Sequence, residues 1–182
     1  HGVNVTIVDK PAKVEVVPKT NLAVFIGVKS TKVRNACVAA GIPYLMIDKG
    51  YFHRGCYHRF ALNGFTPCYL GSGRADPQRL HSFGIKRSSV RTATARYVTF
   101  IGFDDKYARF HGLEDAAAYA AGVNAKLKSI IDTSGKPIEL RMRSRAERLS
   151  VPFSILLPHC HCIVTHGSIA GVEAVVAGVP VV

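Results

Sequence analysis

The chain contains 182 residues, of which 48% are hydrophobic and 20% are charged. This balance excludes a wholly disordered chain, because enough apolar side chains are present to form a sizeable core. No stretch approaches the roughly 18 consecutive apolar residues of a membrane-spanning helix, and the first residues lack a secretory signal pattern. We therefore expect a cytoplasmic protein, and the five cysteines, which show no disulfide spacing, suit a reducing compartment.

The formal net charge of +12 is concentrated in one half of the chain. Residues 1–96 hold 15 of the 24 lysines and arginines but only four of the 12 acidic residues. A one-sided positive field of this size is typical of proteins that bind a polyanion, and nucleic acid is the commonest such partner. The alternative interpretation is a basic surface that is merely solvated.

Apolar runs in the first half predict several short strands and one helix. The helix is expected to stop at Gly41, and the last strand is expected to end at the turn pair Asn63-Gly64. The predicted strands cover residues 3–8, 22–27, 44–48 and 59–62, and the predicted helix covers residues 32–40.

A polar, basic stretch at residues 86–96 is interpreted as a connection between two lobes, at residues 1–96 and 97–182. The second lobe repeats the alternation of strands and helices, which predicts an α/β fold with mostly parallel sheets. Its predicted strands cover residues 97–102, 137–142, 162–165 and 179–182, and its helices cover residues 113–131, 153–157 (or a turn there) and 169–177.

The sharpest chemical feature is the turn that follows the predicted strand at residues 162–165. Gly167 allows a tight turn and a close approach of ligand to backbone, and Ser168 is a good helix N-cap that can also contact a phosphate. The backbone amides that follow, beginning at Ile169, would point at a ligand bound at the start of the predicted helix, and the helix dipole favours an anion there. Glu173 would suit neutral hydroxyls such as those of a ribose. An ordinary strand–turn–helix connection is the alternative.

The end of the chain resembles the donor-binding signature of glycosyltransferases with the GT-B fold, which has two Rossmann-like lobes facing across a cleft. The resemblance implies that His166, Gly167, Ser168 and Ile169 hold the diphosphate of a nucleotide sugar, most commonly a UDP-sugar, and that Glu173 holds the ribose. It also implies a minimal or truncated version of that fold. The matching segments are Thr165-His166-Gly167-Ser168, Gly171-Val172-Glu173-Ala174 and Ala177-Gly178-Val179-Pro180-Val181-Val182.

Three upstream residues fit the same interpretation. Gly102, at the end of the opening strand of the second lobe, would permit close approach of a ligand. Arg141 and Arg143 are two positions apart on a strand, so they point to one face and could offer bidentate contacts to phosphate. Arginines on a surface edge strand are the alternative.

In the first lobe, residues 48–59 combine candidate bases with basic and aromatic side chains. Sugar transfer with inversion requires a base for the acceptor hydroxyl; Asp48 and His53 are the best-placed candidates, and His58 is a third. The mixture also suits stacking on bases and contact with a nucleic-acid backbone, or simply a well-packed loop. This segment resembles the acceptor lobe of phage-type glycosyltransferases that modify hydroxymethylated pyrimidines in DNA. That resemblance implies a flipped base as acceptor, in the host cytoplasm.

The sequence predicts no metal site. The run His159-Cys160-His161-Cys162 alternates between the two faces of a strand and so cannot close one tetrahedral site, and no Asp-x-Asp occurs. We therefore expect a transferase that requires no metal. Three alternatives stay open: a sugar-nucleotide 2-epimerase of the same fold, a polysaccharide glycosyltransferase, and a non-catalytic nucleic-acid-binding protein.

Overall fold

A computed structural model describes residues 20–27, 31–53, 55–65, 77–143 and 150–182. They form a mixed α/β fold with two small sheets, one partly parallel and one all-parallel. The chain divides into two compact units, His1–Gly71 and Ser72–Val182, so the division falls earlier in the chain than residue 96. The strand predicted over residues 3–8 lies outside the described residues.

The first unit contains a three-stranded sheet in the order β1-β2-β3. Strand β1 (Ala23–Ile26) runs parallel to β2 (Tyr44–Lys49), and helix α1 (Thr31–Ala39) connects the two. Strand β3 (His58–Leu62) returns antiparallel to β2, so this unit contains a hairpin as well as the expected parallel pair. Helix α1 ends close to the predicted stop, where Gly41 has a φ of +65°.

The two faces of the first sheet differ in exposure because successive side chains of a strand point to opposite sides. Phe25, Met46 and Ala61 are buried on one face. The other face is also apolar, but its side chains are exposed or half-buried. They form two rows across the three strands, and in each row the residues are paired in register: Val24, Leu45 and Leu62 in one, and Ile26, Ile47 and Phe60 in the other.

The second unit contains an all-parallel sheet in the order β5-β4-β6. The central strand β4 carries four consecutive buried residues, as expected for a parallel strand that is covered on both faces. The elements of this unit are α2 (Pro77–Ser82), β4 (Tyr97–Ile101), α3 (Asp105–Phe110), α4 (Ala116–Ser134), β5 (Glu139–Arg143), α5 (Phe153–Leu156) with a 3-10 turn (Leu157–His159), β6 (Cys160–Thr165) and α6 (Ile169–Val176).

The core of the second unit lies between the sheet and α6. Ile101, Ile163, Leu156 and Ala174 are buried in one apolar cluster, which also includes Val179. The strand predicted at residues 179–182 is reduced to a single parallel bridge between Ile163 and Val181. This cluster fixes the position of α6 relative to the end of β6.

Within the predicted inter-lobe connection at residues 86–96, residues 88–96 hydrogen-bond along the second unit. The amides of Ser88 and Val90 donate to the carbonyls of Val176 and Ala177. The amide of Arg96 donates to the carbonyl of His159 in the same way. A Cβ at Gly178 would lie 2.6 Å from the Ser88 carbonyl oxygen, so the glycine lets this segment approach α6 closely.

Local capping sets the bounds of the longest helix. The Asp115 carboxylate accepts from the amide of Ala118, and Gly135 ends α4 in the left-handed conformation with a φ of +63°. Of the helices that the structure describes, none is long and apolar enough to cross a membrane.

Candidate functional site

The candidate site lies at the carboxyl edge of the second sheet. Strands β4, β5 and β6 are parallel, so their carboxyl ends share one edge, which is where open α/β sheets bind ligands. Gly102 follows β4 and His166 follows β6, so the fold brings these two predicted residues to that edge. A Cβ at Gly102 would meet no atom within 4 Å, which means that space is open above the end of β4.

The turn after β6 has the geometry that the sequence predicts. Gly167 has a φ of +72°, and both His166 and Gly167 are exposed. Ser168 is the N-cap of α6, and its hydroxyl accepts from the amide of Ala170 at 3.3 Å. In the part of the chain that the structure describes, the amides of Ser168 and Ile169 have no backbone or side-chain acceptor. The turn therefore presents amide donors at the start of an eight-residue helix.

A cluster of aromatic side chains, which the sequence analysis missed, surrounds His166. Phe103, Tyr107, His111 and Tyr119 place their ring centroids 5.8, 5.6, 5.1 and 6.2 Å from that of His166. The Tyr107 hydroxyl lies 3.2 Å from Nδ1 of His166. Phe103 lies in the loop after β4, Tyr107 on α3, His111 directly after α3 and Tyr119 on α4. We call them, together with His166, the aromatic cluster.

Two carboxylates stand near the same edge, and both cap helices. Asp104 is the N-cap of α3, where its Oδ1 accepts from the amide of Tyr107 at 3.0 Å. Asp105 Oδ1 accepts from the amide of Ala116 at 3.3 Å. Lys106 and Arg109 on α3 are exposed, so this short segment carries two charges of each sign.

The two predicted phosphate-binding arginines are engaged in packing. Arg141 lies over the Tyr97 ring, 5.6 Å from its centroid, and so reaches back towards the beginning of β4. Arg143 is 6% exposed; its guanidinium donates to the Val151 carbonyl at 2.8 Å and lies over the Phe153 ring at 4.6 Å. Contact of either arginine with a phosphate stays a prediction.

The predicted ribose ligand, Glu173, is exposed on α6. Gly171 on the same helix is buried, and a Cβ there would lie 2.9 Å from Cγ2 of Thr165. The absence of a side chain at Gly171 therefore lets the first turn of α6 pack closely against the end of β6. The predicted diphosphate and ribose residues thus belong to one strand–turn–helix segment of the second unit.

The candidate base Asp48 forms an ion pair in the first unit. Its Oδ2 lies 2.6 Å from a terminal guanidinium nitrogen of Arg59, the residue directly opposite in the β2–β3 register. Arg59 also donates to the Tyr51 hydroxyl at 2.8 Å and lies over the Phe65 ring at 4.2 Å. The Asp48 side chain is 30% exposed, so the carboxylate combines a structural contact with access to solvent.

The candidates His53 and His58 are both exposed in the hairpin that joins β2 to β3. His53 has a φ of +46°, its carbonyl accepts from the amide of Cys56 at 2.9 Å, and its ring lies 6.0 Å from that of Tyr57. His58 begins β3 opposite Lys49. A separate depression of about 330 Å³ lies at the other end of β2; its lining includes Arg34, Cys37, Val38, Tyr44 and Asn63.

The described cysteines are poor nucleophiles with the exception of the exposed Cys56. Burial raises the pKa of the Cys37, Cys160 and Cys162 thiols above the ordinary range, which keeps them protonated at neutral pH. For Cys160 a hydrogen bond with Thr99 opposes that effect. Among the residues with a described position, no group of three or more His, Cys, Asp or Glu could hold a metal ion.

Neither a scan against protein-family models nor a search of curated proteins found a match for this chain.

Proposed function

We propose that the second unit binds a nucleotide sugar, with the diphosphate against the turn after β6, and that the protein is a glycosyltransferase of the GT-B type. The observation that carries this proposal is the turn after β6, which is exposed at His166 and Gly167 and in which the amides of Ser168 and Ile169 have no acceptor among the described residues. Two further features support it: the position of the turn at the carboxyl edge of a parallel sheet, and the division of the chain into two compact units.

In the proposed reaction the bond between the anomeric carbon and the diphosphate oxygen breaks, and a bond from that carbon to the acceptor oxygen forms. The amides of Ser168 and Ile169 and the dipole of α6 stabilise the negative charge on the departing nucleoside diphosphate. Asp48 or His53 accepts the proton of the acceptor hydroxyl. Glu173 accepts hydrogen bonds from the ribose hydroxyls. The proposed reaction assigns no step to a metal ion.

The proposed acceptor is a hydroxymethylated base in DNA. This choice is supported by the concentration of positive charge in residues 1–96 and by the exposed basic and aromatic side chains of the β2–β3 hairpin, among them Lys49 and Tyr57. A base stacked inside a duplex cannot enter a catalytic pocket, so the acceptor would have to be flipped out or supplied as a single strand.

A transfer assay tests the proposal. The full chain is incubated with a panel of UDP- and GDP-sugars, with and without hydroxymethylated DNA, and the released nucleoside diphosphate and the mass of the DNA are measured. We expect release that depends on DNA, together with a mass increase of one sugar residue. Glu173→Gln should weaken donor binding about tenfold through loss of a charged hydrogen bond, whereas the exposed Glu114→Gln should not.

Other outcomes decide between the alternatives. Isomerisation of the sugar nucleotide without any DNA would identify an epimerase, and transfer to acidic polysaccharide would identify a different acceptor. DNA binding without any affinity for sugar nucleotides would overturn the proposal in favour of a non-catalytic binding protein.

A further inference from the structure

Tyr107 and His166 form a hydrogen-bonded pair beside the proposed diphosphate site. The Tyr107 hydroxyl lies 3.2 Å from Nδ1 of His166, and His166 precedes Gly167 directly in the chain. A Cβ at Gly167 would overlap the Tyr107 hydroxyl, so the glycine is what allows tyrosine and turn to meet. The pair therefore joins helix α3, which follows β4, to the loop after β6.

The Tyr107 side chain is itself held in place. Its backbone amide donates to Asp104, and its ring lies between those of Phe103 at 5.0 Å and His111 at 4.3 Å. The rings of Phe103, His111 and Tyr119 lie 5.8, 5.1 and 6.2 Å from that of His166, so they restrict its rotation although part of its side chain is exposed. A side chain fixed by packing in this way can serve as a positioning group.

The hydrogen bond also determines which nitrogen of His166 carries the proton. A phenol hydroxyl is a better donor than a neutral imidazole N–H, and the unprotonated imidazole nitrogen is a better acceptor than a phenol oxygen. This difference favours Tyr107 as the donor to Nδ1, an arrangement in which the proton of the neutral ring lies on Nε2. The hydrogen bond of one ring nitrogen commonly sets the function of the other in this way.

We propose that Tyr107 is a positioning residue that holds His166 in the Nε2–H tautomer, so that Nε2 donates to a diphosphate oxygen of the bound nucleotide. This inference rests on the proposed function and deepens it. His166 adds a side-chain donor to the two amides of Ser168 and Ile169, and Tyr107 acts only through His166.

The tautomer is measured first, without ligand, by ¹⁵N NMR of histidine-labelled full-length protein at a pH where the ring is neutral. His166→Gln assigns the signal. We expect an unprotonated Nδ1 and a protonated Nε2 in the wild type, and a mixture of tautomers in Tyr107→Phe. Tyr119→Phe is the matched control, because Tyr119 contacts His166 with its ring at 6.2 Å while the Tyr107 hydroxyl stays in place. A protonated Nδ1 in the wild type overturns the assignment.

Binding of UDP, measured by calorimetry, tests the functional part. His166→Gln places an amide donor near the position of Nε2 and should keep affinity within about threefold, whereas His166→Asn, which places it near Nδ1, should lose about tenfold. Tyr107→Phe should weaken binding about fivefold in the wild type but have no effect in the His166→Gln background, because the two residues act as one unit.

The outcomes separate this inference from the proposed function. If the wild type does not bind UDP or any sugar nucleotide, the proposed function is overturned whatever the NMR result. If the wild type binds UDP and Tyr107→Phe weakens binding equally in both backgrounds, the proposed function stands and the positioning role of Tyr107 is overturned.

Discussion

At the scale of single residues, Gly167 is subject to two separate constraints. Its φ of +72° penalises any L-residue, and a Cβ would overlap the Tyr107 hydroxyl. Gly112 offers a matched control, because it has a φ of +71° but a Cβ there would meet no atom within 4 Å.

We expect Gly167→Ala to lower the free energy of unfolding by more than Gly112→Ala, which should cost about 1–2 kcal/mol through backbone conformation alone. Gly167→Ala should also weaken UDP binding at least tenfold, while Gly112→Ala should leave it unchanged. Chemical denaturation and calorimetry measure the two effects. Equal losses of unfolding free energy in Gly167→Ala and Gly112→Ala would show that a Cβ at position 167 does not overlap the Tyr107 hydroxyl.

Asp48 combines a proposed catalytic role with a structural one, and stability measurements can isolate the latter. Its partner Arg59 has a side chain only 8% exposed, so Asp48→Asn leaves a guanidinium with a weakened partner in a mostly buried position. We expect a loss of about 2 kcal/mol in the free energy of unfolding. Glu139→Gln breaks the exposed pair with Arg96 and should cost less than about 0.5 kcal/mol. Similar costs for both variants would contradict the structural role of the Asp48–Arg59 pair.

The buried thiols give stability a definite dependence on pH. Burial raises the pKa of Cys160, so above the ordinary thiol pKa of about 8.5 the unfolded chain releases a proton that the folded chain keeps. The folded state then binds more protons, and its stability falls as the pH rises above that value. Denaturation between about pH 7 and 10 should show a shallower fall in Cys160→Ser than in the wild type. An equal fall in the two proteins would show that burial of Cys160 does not contribute to the pH dependence of stability.

At the scale of elements, Ser168 has two proposed tasks on one helix: it caps α6 and it faces the diphosphate. Aspartate and asparagine are both good N-caps, so neither Ser168→Asp nor Ser168→Asn should change the free energy of unfolding by more than about 0.5 kcal/mol. Only aspartate adds a negative charge where the diphosphate is expected. Ser168→Asp should therefore abolish UDP binding while Ser168→Asn weakens it only modestly, and equal affinities would place the diphosphate elsewhere.

Several of the helices and strands could be predicted from the sequence alone. Strands β2, β4 and β6 are predictable because they are apolar runs bounded by turn residues, and α4 is predictable because apolar residues recur at helical spacing. Helix α3 was missed because its six residues, Asp105–Phe110, are too few to show a period. The aromatic cluster was missed with it, although Phe103, Tyr107 and His111 recur every four residues.

Pairing between separate elements was beyond sequence reasoning. The antiparallel register of β3 decides that Asp48 faces Arg59, and packing of α5 decides that Arg143 is buried against Phe153. The partners are only 11 and 10 positions apart, but each contact depends on how two elements pack against each other and not on a pattern within one element. The turn at Gly167 was predicted correctly because strand, glycine and N-cap follow one another in the chain, so its geometry is local.

At the scale of the whole molecule, the uneven charge predicts how binding to DNA depends on salt. Each phosphate that a protein neutralises lowers the slope of log K against log salt by about 0.9, so about four contacts weaken binding roughly a hundredfold between about 50 and 200 mM salt.

Lys49 is exposed at the end of β2 in the basic half, and Lys126 is exposed on α4 in the nearly neutral half. We expect Lys49→Gln to weaken binding to duplex or single-stranded DNA and to reduce the magnitude of the slope by about 0.9, and Lys126→Gln to change neither. Fluorescence anisotropy across a salt series measures both quantities. Identical slopes for the two variants would mean that Lys49 does not neutralise a DNA phosphate, and DNA contact by the β2–β3 hairpin would lose its support at this position.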